Sequence, residues 1–465
     1  MLRSILSNAV YSLISDVASR LASALLLIAL TRRLGESAAG VFTLSTNYVL
    51  LLSAVAYWGL DQLLIRDVAQ DRGLATKHFT HFYLIRLALS PILWLVLAAS
   101  ILGMHPYQPE TNWFIALAGG TIVGSSIANL GQSLLIAYER VWPASLVSIA
   151  TGVLLVAGGL VILPSSANMQ AIALLLVLSS LLQAAILSGT VLPLLDLKGF
   201  RFDAGFCRRE LGSGFPFVPI SVFIALEGQV GSILLSFFHS EAVVGYYGMA
   251  NVIITSLALL SQAVRVGIFP AMARMWQEDR AVFVRLYERS WRTLSMTSLP
   301  AIVLVILLSD LVLRLIYGRV PDEAVTTLQI LAPTLLFYFL NIPNARLMIL
   351  DRRQGILARL MAVSTAVNVI LALLLIPRHA APAVGVARVA SMGIFFLLNA
   401  VYVERRILAT RPWRFVWKPA LAAGLMAAFV FVAVPDWPVW ARAVGGLAVY
   451  GTALASIALV RLRGV

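Results

Sequence analysis

The chain has 465 residues, of which 60% are hydrophobic and only 12% charged, and its formal net charge is +14. A soluble domain carries about 25% charged residues, so no soluble fold of this length hides so much apolar surface, and lipid must be part of its solvent. The basic surplus is nearly all arginine, with Lys77, Lys198 and Lys418 the lysines; in a membrane protein such a surplus gathers in cytoplasmic loops, and no nucleic-acid partner is expected.

A helix needs roughly 20 apolar residues to cross the hydrocarbon core. Fourteen stretches qualify: 8–31, 38–64, 80–103, 112–137, 142–163, 169–195, 214–238, 243–270, 293–317, 325–350, 355–376, 383–404, 416–434 and 439–460. The first mimics a signal peptide at Ala22-Ser23-Ala24, but Asp16 and Arg20 interrupt the apolar core that a signal needs. A barrel is excluded because the runs are long and continuously apolar. With the N-terminus inside, the loops carry roughly 24 basic residues on the inner side against about 6 outside, Arg378 and Arg388 among the latter. An even number of spans then places both termini in the cytoplasm. Every outside loop is a short turn, which leaves no room for an extracytoplasmic catalytic domain. The longest inner loop, DLKGFRFDAGFCRRELGSG, divides the chain nearly in half. Its Cys207 is the one cysteine, so no intramolecular disulfide forms. His78 and His81 share a helical face but sit in a charged loop without a third ligand, and no metal site is expected.

The two halves resemble each other at an offset of 205 residues, which sets Glu36 on Glu241 and Gly40 on Gly245. GESAAGVF and SEAVVGYY align without a gap, and each occupies the first outside loop of its half. Both halves have six spans and begin inside, so the repeat is parallel, with its axis along the membrane normal. Such repeats mark transporters, with the substrate path between them.

Residues 28–67, IALTRRLGESAAGVFTLSTNYVLLLSAVAYWGLDQLLIRD, resemble the opening of Wzx-type polysaccharide and O-antigen flippases. Leu34, Gly35, Gly40 and Phe42 match the L-G-x-x-x-x-G-x-[FY] turn, and Gly59, Leu60, Asp61 and Arg66 a later G-L with polar residues before an Arg. GSGFPFVPI, EAVVGYYGMAN and IFPAMARM repeat the style in the second half. The resemblance covers about residues 5–410 and extends to the superfamily of multidrug, oligosaccharidyl-lipid and polysaccharide exporters. It implies an all-α integral membrane fold in which two six-helix bundles, here 1–200 and 201–410, are related by a pseudo-twofold along the membrane normal and work by alternating access. The count above is about fourteen helices, which exceeds the twelve common among Wzx proteins by the two in 411–465. It also implies a location in the bacterial inner membrane and a substrate glycan on undecaprenyl diphosphate. Polymerases are implied partners; no cofactor or enzymatic activity is.

A charge at the bilayer centre costs about 2.5–3.5 kcal/mol on insertion scales, so it faces a cavity or a partner. Asp16 and Arg20 lie at i,i+4 in the first span, open to two readings: an ion pair or a cavity lining. Arg86, Arg265 and Arg346 lie in cytoplasmic half-spans, where they either snorkel or grip the substrate diphosphate with bidentate forks. Asp61 is placed to counter one of them. Glu227, in the middle of the seventh span, suits coupling to a proton or sodium ion, or a structural hydrogen bond. Pro216 and Pro219 open that span and predict a bend that either gates or stays static. Two other functions compete: a multidrug or small-molecule exporter of the same superfamily, and a membrane glycosyltransferase, polymerase or ligase, for which the short outside loops are poorly equipped. There is no G-x-x-x-x-G-K-[ST] string for nucleotide coupling.

Overall fold

The computed structural model describes the backbone of all residues but 1, 105, 166–168, 198, 199, 412 and 463–465; the side chains at 2–10, 12, 13, 16, 164, 165, 262–271, 273, 277, 413 and 457–462 also lie outside the description. Among the described residues there is no strand, and eleven helical stretches are long and apolar enough to cross a membrane. The chain is an all-helical integral membrane protein. Its contacts divide it into two units, residues 1–248 with 372–380, and residues 249–371 with 381–465.

The first unit begins with α1 (Leu2–Leu34), α2 (Glu36–Tyr57), α3 (Leu60–Gln70), α4 (Ala75–Met104), α5 (Pro109–Ala118) and α6 (Thr121–Ala137). It continues with α7 (Trp142–Ser165), α8 (Met169–Val191), α9 (Ala204–Gly214), α10 (Val218–Phe238) and the opening of α11 (Glu241–Glu278). Local chemistry sets these borders. Gly35 takes φ +87° between α1 and α2, Pro109 starts α5, and Asp203 caps α9 by accepting from the Phe206 N–H at 2.9 Å. The main core gathers Leu60, Leu64, Phe82, Leu130, Leu134 and Leu187, all nearly solvent-free, beneath α9.

The second unit holds the rest of α11, α12 (Arg280–Tyr317), α13 (Asp322–Leu331), α14 (Thr334–Leu350), most of α15 (Gln354–Arg406), α16 (Trp413–Ala428) and α17 (Val439–Leu462). Asp279 starts α12 by accepting from the N–H groups of Ala281 and Val282 at 2.9 and 3.0 Å. An aromatic column of Phe283, Tyr287 and Trp291 runs inside α12 and reaches Phe396. The last two helices are docked on α12: Val303 packs with Ala422, Met426, Val430 and Tyr450, and the Tyr450 hydroxyl donates to the Met296 carbonyl at 2.9 Å. The eleventh and twelfth predicted spans run together in α15, where one residue, Ala380, leaves helical geometry at φ 46°. A tight kink therefore replaces the expected outside loop PRHAAP.

Candidate functional site

In the first unit the second predicted span is broken. Trp58 and Gly59 adopt left-handed backbone at φ 50° and 70°, so α2 ends and α3 restarts in mid-span. A break strands backbone carbonyls, which must find donors inside a membrane protein. Arg86 of α4 supplies one: it is fully buried, and its guanidinium donates to the Tyr57 carbonyl at the break at 3.2 Å and to the Ser126 carbonyl within α6 at 2.6 Å. It also donates to Asp61 Oδ1 at 2.6 Å. Ser133 donates to the same carboxylate at 3.2 Å. With its amide nitrogen turned to Asp61, Asn129 donates to both carboxylate oxygens at 2.6 and 3.0 Å. The Tyr57 ring lies 5.2 Å from the guanidinium carbon. Arg86 thus answers a carboxylate, the carbonyl freed at the break and a carbonyl of α6 at once, and it does not snorkel.

The other motif of the second half meets this break. α9 ends at Gly214, a tight turn covers Phe215–Phe217, and α10 starts at Val218. Pro216 and Pro219 occupy the first positions of that turn and of α10, where a missing N–H costs nothing. The bend expected from the two prolines takes the form of this single tightened turn, with right-handed helical backbone at Gly214, Phe215, Phe217 and Val218. Gly59 and Gly214 allow the α2–α3 break and this turn to touch. A Cβ on Gly59 would lie 2.7 Å from the Phe217 Cβ and 2.8 Å from the Gly214 carbonyl oxygen; one on Gly214 would lie 2.6 Å from the Trp58 oxygen. The Trp58 indole N–H donates to the Leu211 carbonyl at 3.0 Å.

At the opposite end of α2 the repeated E-x-x-x-G copies meet each other. A Cβ on Gly40 would fall 1.7 Å from the Glu241 carbonyl oxygen, and one on Gly245 would fall 2.4 Å from that of Glu36. Each glycine admits the backbone of the other copy's glutamate, as small residues do where membrane helices cross closely. Glu36 accepts from the Tyr246 hydroxyl at 2.8 Å, while Glu241 accepts from Thr111 at 2.6 Å and Ser37 at 3.2 Å. Deeper along α2, Asn47 donates to Ser232 at 2.5 Å, and Tyr107 bridges Tyr48 and Ser236 at 2.8 Å each.

The second unit holds a buried arginine that the sequence reading misplaced. Arg388 is 4% exposed, inside α15 rather than in an outside loop. It donates to Asn251 Oδ1 at 2.8 Å and to the Tyr338 hydroxyl. Its position five residues into the predicted span 383–404 was the available signal. Tyr287 donates to Asn344 Oδ1 at 2.7 Å in the same unit. Of the other predicted residues, Arg20 is exposed on α1. Arg346 and Glu227 are half-buried, and both are engaged with partners. The side chains of Asp16 and Arg265 lie outside the described residues, so the Asp16–Arg20 pairing does too. Outside the spans, Asp203 is held below the usual carboxylate range, chiefly by the Phe206 N–H and further by Lys77.

The profile of the family described as "Polysaccharide biosynthesis protein" matches residues 29–326. No curated protein matches the chain. Among solved structures it is similar to the lipid II flippase MurJ in an inward closed conformation, at 16% identity over 97% of this chain and 99% of that one, with a TM-score of 0.73. It is also similar to an inward-facing multidrug resistance MATE transporter, at 14% identity over 84% and 94% of the two chains, with a TM-score of 0.67. A third similar structure is an outward-facing multidrug resistance MATE transporter, at 13% identity over 87% and 96%, with a TM-score of 0.61. At these identities the likeness is one of fold. The profile covers well over half of the chain, which belongs to the polysaccharide biosynthesis protein family.

Proposed function

We propose that the protein is a flippase that moves a polyprenyl-diphosphate-linked oligosaccharide from the cytoplasmic to the outer leaflet of a bacterial inner membrane by alternating access. The observation that carries this reading is the polysaccharide biosynthesis profile, found on a fold shared with a lipid II flippase. In this reading the chain crosses the membrane fourteen times with both termini in the cytoplasm. Its lobes are 1–200 and 201–410, and 411–465 supplies two added helices. Arg20, Arg265 and Arg346 are the arginines assigned to the diphosphate, with Asp16 orienting Arg20. Arg86 and Asp61 enter as the pair that holds the α2–α3 break next to the α9–α10 turn at Pro216 and Pro219. Glu227 is the carboxylate assigned to proton or sodium coupling. Energy otherwise comes from a downstream polymerase that consumes the flipped product. The fold shared with multidrug transporters supports a second reading, ion-coupled export of a small molecule.

Loss of the protein is expected to halt surface polysaccharide and to leave its lipid-linked precursor on the cytoplasmic face. Arg20→Ala is expected to do the same while the protein accumulates normally, and Arg20→Lys to restore only part, since a point charge replaces a fork. Full polysaccharide in the double Asp16→Ala, Arg20→Ala variant would assign Arg20 to a structural pair instead.

A further inference from the structure

His78 and His81, one turn apart on α4, share one tautomer and differ in what their second nitrogen faces. A carbonyl oxygen only accepts, so a ring nitrogen beside one carries the proton. His81 Nδ1 donates to the Lys77 carbonyl at 2.6 Å, and its Nε2 accepts from the Asp203 N–H at 2.9 Å. Both of its nitrogens are used. His78 Nδ1 likewise donates to the Leu74 carbonyl at 3.1 Å. Its Nε2 then presents a lone pair, and what it faces is another acceptor, Asp67 Oδ2 at 3.4 Å. Glu210 completes the group: one ligand atom from each of Asp67, His78 and Glu210 lies within 4.8 Å of the others. His78 is only 5% exposed, and its ring is fixed edge-on to Phe82 and Phe206. An imidazole lone pair buried against two carboxylates is repulsive unless a proton or a metal ion lies between them.

We propose that Asp67, His78 and Glu210 form a binding site for a divalent transition-metal ion of the zinc class. Two ligands at about 2.1 Å on a tetrahedron are about 3.4 Å apart, which is the His78–Asp67 separation of 3.4 Å. One imidazole with two carboxylates suits zinc better than magnesium or calcium, which favour oxygen alone. Three protein ligands leave the fourth position to water. The Leu74 carbonyl fixes the tautomer that offers Nε2, as outer partners do in metal sites. Arg66 holds Asp67 from the exposed side, with contacts of 2.6 and 3.1 Å. The three ligands come from α3, α4 and α9, so the ion ties the helix that opens the second half of the chain to two helices of the first. Four residues beyond Glu210, α9 ends at Gly214 on the α2–α3 break. The site anchors the cytoplasmic approach to that contact.

The test is titration of Zn2+ onto the full-length protein in detergent after chelator treatment, with Co2+ absorption as a second readout. The expected result is one ion per chain, a thermal midpoint that rises with Zn2+ by mass action, and Co2+ absorption of a low-symmetry, four-coordinate site. His78→Gln and Glu210→Gln are each expected to weaken binding about 100-fold, at least the loss seen for outer-sphere partners. Cys207→Ser and His81→Gln are expected to bind as the parent does, which separates the site from adventitious thiol or imidazole binding. The variants are compared only as monodisperse chains, and Glu210→Gln, which alters one half-buried carboxylate, serves if His78→Gln does not fold. The proposal is overturned if the parent binds no Zn2+, which leaves a proton on Nε2, or if His78→Gln and Glu210→Gln bind it unchanged.

Discussion

The two ends of α2 bring the two halves of the sequence together by different physical means. At the Gly40 end two unbroken helices cross, and contact is made by deleting side chains: Gly40 and Gly245 each admit a carbonyl of the other copy. At the Gly59 end α2 is interrupted, and its left-handed backbone at Trp58 and Gly59 meets the tight turn at Phe215–Phe217, while Arg86 answers the Tyr57 carbonyl. The first is a steric device and needs no charge. The second needs a buried ion pair, and it stays intact only while Arg86 and Asp61 have each other. The two ends therefore differ in what builds them: parting α2 from the second half would expose backbone carbonyls at either end, while Arg86 on α4 and Asp61 on α3 both belong to the first half and would stay together.

That contrast is most strongly tested at the ion pair. Asp61→Ala strands Arg86 and is expected to destabilise the protein by about 3–5 kcal/mol, while the double Asp61→Ala, Arg86→Leu variant recovers much of the loss. Thermal unfolding in detergent reads both. Should the two substitutions simply add, the break does not depend on the pair. Next in size is Gly40→Ala, for which the clash is with the Glu241 backbone and no neighbouring side chain can yield. It is expected to cost about 3 kcal/mol, at the upper end of overpacking losses, and truncating Ser37 or Thr111 is expected not to rescue it. Gly35→Ala sharpens the steric side of the comparison. Gly35 has φ +87° but nothing within 4 Å of a new Cβ, so only backbone strain remains, about 1 kcal/mol. The smallest effect is expected at Asp203, the exposed cap of α9. Its folded pKa is lowered, so its contribution is present above the ordinary carboxylate range and is lost as pH falls through the lowered value. Asp203→Ala is expected to flatten that acid limb of the melting profile.

The legibility of these features followed their physics. Apolar length is a local property, and eleven helical stretches among the described residues are long and apolar enough to cross a membrane. The E-x-x-x-G copies were visible as a repeat because a glycine crossing imposes the same demand on both strings. The break at Trp58–Gly59 was hidden: a run of apolar residues from 38 to 64 reads as one helix, and left-handed backbone at a tryptophan has no sequence signal. Arg86 was found as a charge in a span, but its partners Ser126 and Tyr57 are backbone carbonyls, which no sequence pattern marks. Arg388 was assigned to an outside loop although it lies inside the predicted span 383–404; the reversal is made at a single kinked residue, Ala380, and Arg388 sits in the helix beyond it. His78 lacked a third ligand in the sequence because Glu210 is distant along the chain and is brought near only when α9 folds back on α3 and α4.

The flippase reading itself meets its most direct test in proteoliposomes that contain the purified protein and an undecaprenyl-diphosphate oligosaccharide bearing a fluorophore on its sugar. A membrane-impermeant quencher added outside reports the share of substrate in the outer leaflet over time. The account predicts that the wild-type protein makes the whole pool accessible and that Arg20→Ala, reconstituted at equal density, leaves the inner-leaflet half protected. A wild-type protein that leaves that half protected while exporting a soluble organic cation down an ion gradient would contradict the account and establish the multidrug reading in its place.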